Sequence, residues 1–150
     1  MEIERKFTVK HLPENLEQFP KKHIEQAYLC TDPVVRVRCK GEEFWLTCKG
    51  KGFLTREEFE LPLSEEAYQH LMGKADGLVI AKDRYHIPCG EYTVELDVFG
   101  GALAPLIIAE VEFPSVEQAL AFCPPDWFDR DVTEDPEYAN ANLSKKVPGR

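Results

Sequence analysis

Polar and apolar side chains alternate with a period of two in eight segments of this chain, near residues 2–9, 24–30, 34–40, 43–49, 54–61, 79–87, 91–99 and 106–113. That period marks β-strands with two unlike faces. Most connections are too short for the crossovers that parallel strands require, so the sheet is expected to be largely antiparallel. Three helical pieces interrupt it. Ser64 with Glu65 and Glu66 opens one through about Ala75, a polar N-cap followed by acids in the first turn. Ser115 with Gln118 forms a capping-box pattern before a helix toward Phe122, and Asp135-Pro136 starts a short final helix through Tyr138 to Leu143. A further short helix is expected near 13–21.

Residues two apart on a strand share a face, roughly 7 Å from one another. The first strand therefore shows Glu2, Glu4 and Lys6 on one side and Ile3, Arg5 and Phe7 on the other. By the same parity the third strand gathers Arg36, Arg38 and Lys40, the fourth Thr47 and Lys49, and the fifth Arg56, Glu58 and Glu60. Later strands add Lys82, Arg84 and His86, then Glu95 and Asp97, then Glu110 and Glu112. An ordinary sheet with one dry and one solvated face would account for any single strand. The set asks for more. Acid-x-acid recurs on four strands, and like charges that close cost stability unless a cation sits between them. Magnesium or manganese suits such oxygen donors. Lys6, Arg36, Arg38, Lys49, Arg56, Lys82 and Arg84 share that face from five strands, and arginine's planar fork matches phosphate oxygens, so the implied ligand is a polyanion. Eight strands can close into a barrel, which removes exposed edges and turns the charged face into a lumen. The apolar outer face would then be covered by helices and could support a homodimer.

A length of 150 residues with 43% hydrophobic content is enough for one domain, taken as 1–150, with a real core. A net charge of −9 argues against general attraction to nucleic acid or anionic membrane. No apolar run approaches the roughly 20 residues of a membrane span, and the start lacks a signal peptide's apolar stretch. Five cysteines without a C-x-x-C pair fit reduced thiols, and a cytoplasmic setting is expected. His11, His23 and His70 show no ligand spacing and read as surface or cap residues. His86 and Trp45 have the luminal parity, but read better as a strand-end residue and a packed or rim aromatic. Gly50-Lys51-Gly52 lacks the spacing of a phosphate-binding P-loop and reads as a turn.

The ordered series of motifs resembles the triphosphate tunnel metalloenzymes, or CYTH-domain proteins. It runs through Glu2-x-Glu4-x-Lys6, Ile24-x-Gln26-x-Tyr28-Leu29, Arg36-x-Arg38, Leu46-Thr47-x-Lys49 and Arg56-x-Glu58-x-Glu60. It continues through Lys82-x-Arg84-Tyr85, Glu95-Leu96-Asp97, Glu110-Val111-Glu112-Phe113 and the stretch from Val132 to Asn140. The resemblance implies a closed eight-stranded antiparallel β-barrel with flanking helices and a C-terminal plug helix, holding a small-molecule triphosphate end-on. It implies magnesium or manganese, one ion on Glu2, Glu4 and Glu110 and a second on Glu95, Asp97 and Glu112. Lys6, Arg36, Arg38, Lys49, Arg56, Lys82 and Arg84 would clamp phosphate oxygens. Glu4, Lys6 and Lys82 would serve the chemistry, and Glu58, Glu60 and Tyr138 would support it. The implied activity is hydrolysis of inorganic tripolyphosphate to pyrophosphate and phosphate. The alternatives are a class IV adenylate cyclase and a non-catalytic polyphosphate- or nucleotide-binding module. Two departures stand out. Glu137 precedes the plug tyrosine where many relatives carry a basic residue, and Val34 replaces the aromatic that thiamine triphosphatases place two positions before the first arginine, which argues against thiamine triphosphate.

Overall fold

A computed structural model describes residues 1–145. Ten strands form one antiparallel sheet: β1 (Glu2–Val9), β2 (Lys21–Thr31), β3 (Val34–Lys40), β4 (Glu43–Lys49), β5 (Thr55–Arg56), β6 (Glu58–Leu63), β7 (Asp76–Cys89), β8 (Tyr92–Phe99), β9 (Ile107–Glu112) and β10 (Phe128–Asp131). The spatial order is β10-β1-β9-β8-β7-β2-β3-β4-β6, with β5 off that path and paired to β1.

The sheet is not closed into a barrel, which corrects the eight-stranded expectation. Closure would need a continuous ladder between β1 and the strand read at 54–61. That segment instead divides at Glu57. Only Glu2↔Arg56 and Ile3↔Thr55 join β1 to β5, whereas β6 turns away to pair with β4 from Lys49↔Glu58 to Phe44↔Leu63. The register explains the division: β5 runs antiparallel to β1, so the chain after Arg56 passes the N-terminal end of β1, and there the Glu57 carbonyl accepts from the Gly50 N–H at 2.9 Å as the ladder with β4 begins. The other departure is β10, a short strand hydrogen-bonded to the far side of β1.

The period-two faces hold. On the convex side Phe7, Val94, Leu96, Ala109, Val111, Phe113 and Phe128 form a buried cluster under α2 (Val116–Ala121). Burying each large side chain contributes roughly 2–3 kcal/mol. Arg5 belongs to this side too, donating to the carbonyls of Ala119 at 2.9 Å and Phe122 at 3.2 Å, where α2 ends, and pairing with Asp131. Helix α1 (Glu65–Met72) is capped by Ser64, whose Oγ accepts from the Ala67 N–H at 3.1 Å, and it packs Tyr68 on Phe44.

The concave side changes character along its length. Tyr28, Ile80, Phe99 and Ile108 share the parity of Gln26, Lys82, Asp97 and Glu110, yet form a second apolar cluster with Leu143 of α3 (Asn140–Leu143). The chain before α3 is not one helix. A 3-10 turn over Pro136–Tyr138 is broken by extended Ala139. Only a 3-10 turn at Leu16–Gln18 occupies the stretch expected to be helical near 13–21. The C-terminal segment is anchored where the Leu78 N–H meets the Ser144 carbonyl at 2.6 Å; Gly77, at φ +74, lies so close to that carbonyl that a Cβ would collide with it.

Candidate active site

A cavity of about 290 Å³ opens on the charged part of the concave face. Arg36, Arg38, Trp45 and Lys49 line it from β3 and β4, and Arg56, Glu58 and Glu60 from β5 and β6. Glu2, Glu4, Lys6, Glu110, Glu112, Glu95 and Arg84 line the opposite side. Ala139, Asn140 and Ala141, leading into α3, reach it from the apolar end.

The two walls differ in how their charges are compensated. Arg36 is 4% exposed, donates to Thr47 Oγ1 at 3.2 Å, and has a buried Nε with no partner. Arg38 donates from Nε to Gln26 Oε1 at 2.7 Å. Both arginines are held by neutral oxygens, so their charge stays available. Burial, with Arg36 and Arg84 nearby, pushes Arg38 down to about 9, still protonated at neutral pH. On the facing wall β1 and β9 bring acids directly opposite one another at Glu4↔Glu112, next to Lys6↔Glu110. Glu4 makes no ion pair among the described residues. Burial, then the charges of Glu110 and Glu2, push its carboxyl up to about 8. Glu112 is likewise raised, by burial and then by Glu2 and Glu95.

The remaining groups are paired. Lys49 Nζ lies 2.9 Å from Glu2 Oε1 and 3.3 Å from Glu58 Oε2, and Arg56 Nε lies 3.6 Å from Glu2 Oε1. Burial raises Glu58, as does Glu2, whereas for Glu2 burial is overcome by the charge and hydrogen bond of Lys49 together with a hydrogen bond to Glu58, and its carboxyl is lowered. Lys6 Nζ stands 3.7 Å from Glu110 and donates to the Tyr138 carbonyl at 3.2 Å. Burial alone would raise Glu110, but Lys6 and Arg84 hold it down to about 2.

Three expected site residues do not reach the cavity. Asp97 is fully buried: its two oxygens take Arg84 Nε at 2.7 Å and Nη2 at 2.8 Å, and Lys82 Nζ lies 2.7 Å from Oδ2. The Lys82 contact is an ion pair by distance without hydrogen-bond alignment. Arg84 and Lys82 outweigh burial and hold Asp97 below the usual carboxylate range. Burial pushes Lys82 down to about 7. Both sit behind the wall, bracing Arg84, which also reaches Glu95 at 2.9 Å. Tyr138 turns its ring to Arg130, whose Nη2 donates to the phenol oxygen at 2.9 Å; only its carbonyl meets the site, through Lys6.

Lys22, Lys40, Glu43, Tyr28 and Asn140 also line the cavity. Lys22 escaped because the second strand was expected from residue 24, whereas β2 begins at Lys21 and carries the alternation outward. Gln26 and Thr47 have the luminal parity, but being uncharged they gave no signal on their own. Trp45 is a rim aromatic whose Nε1 donates to Glu43 at 3.3 Å. His86 lines a second, outer hollow with Tyr92 and Gln118, and burial lowers its pKa. His23 is an exposed group between Asp83 and Glu25, away from the cavity.

As placed, no three acidic, imidazole or thiol side chains among the described residues stand close enough to enclose a metal ion. The donor chemistry nevertheless fits a hard divalent cation. The wall offers carboxylate oxygens only, and Glu4 and Glu112 are opposed without a cation of the protein between them.

An antiparallel sheet curled around a row of uncompensated arginines and a facing row of acids defines a pocket for a polyanion. The CYTH domain matches residues 1–120, and the chain belongs to that family. It is 40% identical over 153 residues to a protein named inorganic triphosphatase from Nitrosomonas europaea, covering 98% of this chain and 99% of that one. A protein of the same name from Acetivibrio thermocellus is 40% identical over 119 residues, 76% of this chain and 73% of its own. The crystal structure of the inorganic triphosphatase NE1496 superposes with a TM-score of 0.74 at 37% identity, over 99% of this chain and 97% of that one. All five cysteines are free, and no helix among the described residues is long and apolar enough to cross a membrane.

Proposed function

We propose that this chain hydrolyses linear triphosphates, foremost inorganic tripolyphosphate, to pyrophosphate and phosphate. The observation that carries the reading is the pair Arg36, buried, and Arg38, half-buried, which line the same cavity as Glu4 and have no acid partner among the described residues. Two inorganic triphosphatases at 40% identity support it.

Phosphoryl transfer asks a protein mainly for positioning and charge neutralisation. Arg36 and Arg38 grip phosphate oxygens from β3, while Lys49, Arg56 and Arg84 add charge from the neighbouring walls. Lys6, fixed by the Tyr138 carbonyl, neutralises oxygens near the scissile bond. Lys82 acts from behind, through Asp97 and Arg84, and Glu58 and Glu60 orient Lys49 and Thr47. Triphosphatases of this family depend on metal in general. A magnesium or manganese ion, held by Glu4 and Glu112 with Glu2, Glu110 and Glu95 alongside, would polarise the attacking water and neutralise the leaving pyrophosphate. Asp97 is left out of that set because both its oxygens are engaged. The water oxygen bonds to the terminal phosphorus as the bridging bond breaks, and a proton is released.

The same proposal treats 1–150 as one functional unit in the cytoplasm. Exposed Phe59 (61%) and Leu61 (45%) on β6 support a homodimer. Phosphate release from tripolyphosphate and ATP, each with magnesium, manganese or a chelator, tests the activity. Metal-dependent release, fastest on tripolyphosphate, is the expected result. Cyclic AMP from ATP, or tight binding without turnover, overturns it.

A further inference from the structure

We propose that the outer end of the cavity holds a subsite for a phosphate beyond the third, so that linear tetrapolyphosphate binds with its extra phosphate between Lys22 and Lys40. The idea rests on the triphosphate reading for the inner part of the cavity. Lys40 follows Arg36 and Arg38 on the same face of β3, which carries the cationic wall over about 13 Å at the rise of a strand. Three bridged phosphates are shorter than that. Lys22 reaches the same place from β2: it pairs in register with Arg84, and Ile24, two residues on, pairs with Lys40. Both lysines line the cavity. Lys22 is exposed and Lys40 half-buried, while the opposite end is floored by Ala139–Ala141, so the pair stands at the mouth.

Neither lysine has an ion pair among the described residues, although the chain carries a net charge of −9. The acids beside them form no ion pair with either lysine: Glu43, opposite Lys40 in the register, turns a carboxylate oxygen to Trp45 Nε1, and Glu95 is held by Arg84 at 2.9 Å. Burial, Arg84, Arg38 and Lys22 press the Lys40 ammonium toward its neutral form against the opposing charge of Glu95, so an anion beside it would restore the charged form. A nucleoside at this position would leave both lysines uncompensated. A further phosphate would satisfy both through charge-assisted bonds.

The test compares the wild type with the Lys22→Ala/Lys40→Ala double variant, in magnesium, on tripolyphosphate, tetrapolyphosphate and ATP. Both side chains sit at the mouth and pair with nothing, so the variant should fold, as circular dichroism will check. The expected result is a rise of roughly tenfold or more in KM for tetrapolyphosphate, with KM for tripolyphosphate and ATP within about twofold. Equal weakening on all three substrates, or no change on tetrapolyphosphate, overturns the subsite. If the wild type fails to turn over tripolyphosphate, the triphosphatase reading falls by itself. Calorimetry then decides the subsite alone: it stands if the double substitution weakens tetrapolyphosphate selectively, and falls if tetrapolyphosphate binds both proteins equally.

Discussion

Arg38 donates from Nε to the side-chain oxygen of Gln26, its partner in register across β2 and β3, at 2.7 Å, and the acceptor is neutral. A carboxylate there would orient the guanidinium equally well, but it would spend the charge the ligand needs. Gln26→Glu is therefore expected to keep the fold and to raise KM for tripolyphosphate roughly tenfold to a hundredfold, with kcat changed far less. Steady-state kinetics over a substrate series reads this directly. An unchanged KM would mean that Arg38 does not meet the substrate.

Arg84 is held in the opposite way, by Asp97 on two nitrogens, with Lys82 on the same carboxylate. Removing one charge from a fully buried network leaves the others uncompensated. Asp97→Asn is expected to cost about 3–5 kcal/mol of stability, measured by urea unfolding. A metal ligand on the cavity wall would behave differently: its loss would weaken metal binding and leave the ligand-free protein nearly as stable as before.

The residue faces were legible because a strand's parity is a rigid rule: Glu2, Glu4 and Lys6 fall on one side and Phe7 on the other whatever the sheet does at its edges. The division at Glu57 was not. Segment 54–61 keeps its alternation across the break, and what splits it is a register that carries the chain past the end of β1 and onto β4, which no side-chain pattern records. The same limit hid the change from charged to apolar along the concave face. Ile80, Phe99 and Ile108 continue the parity of Lys82, Asp97 and Glu110, and only the packing of Leu143 reveals that this end is dry. Asp97 looked like a ligand because it sits in an acid-x-acid pair, and depth, which parity does not give, is what removes it from the cavity.

Glu4 has the most strongly raised carboxyl of the metal-free site and so contributes to the pH dependence of its stability. Its carboxyl is raised from 4.5 to about 8, so the folded state keeps a proton that the unfolded chain has released. The contribution is fully favourable below about 4.5 and is lost as pH climbs toward 8. Glu4→Gln, which cannot ionise, is expected to recover up to roughly 3 kcal/mol at pH 7 in chelator. The same variant should lose most tripolyphosphate turnover in magnesium. Thermal melts from pH 5 to 9, with and without chelator, check the first part. A variant no more stable than the wild type at pH 8 would show that Glu4 is already compensated.

Arg38 sets stability against function on the other wall. Burial and the charges of Arg36 and Arg84 all disfavour its cation when no anion is bound. The bond to Gln26 offsets only about 1 kcal/mol of that penalty. Arg38→Met keeps an unbranched stem in the wall and removes the charge. The ligand-free protein is expected to change by about 1 kcal/mol or less, because relief from holding an uncompensated cation is set against the buried Gln26 oxygen left without its donor. Tripolyphosphate should raise the melting temperature of the wild type even in chelator, since the β3 arginines have no acid to release before they bind. In Arg38→Met most of that shift should vanish. A variant that melts lower than the wild type without ligand, yet gains as much from tripolyphosphate, would mean that this arginine braces the sheet instead of waiting for the substrate.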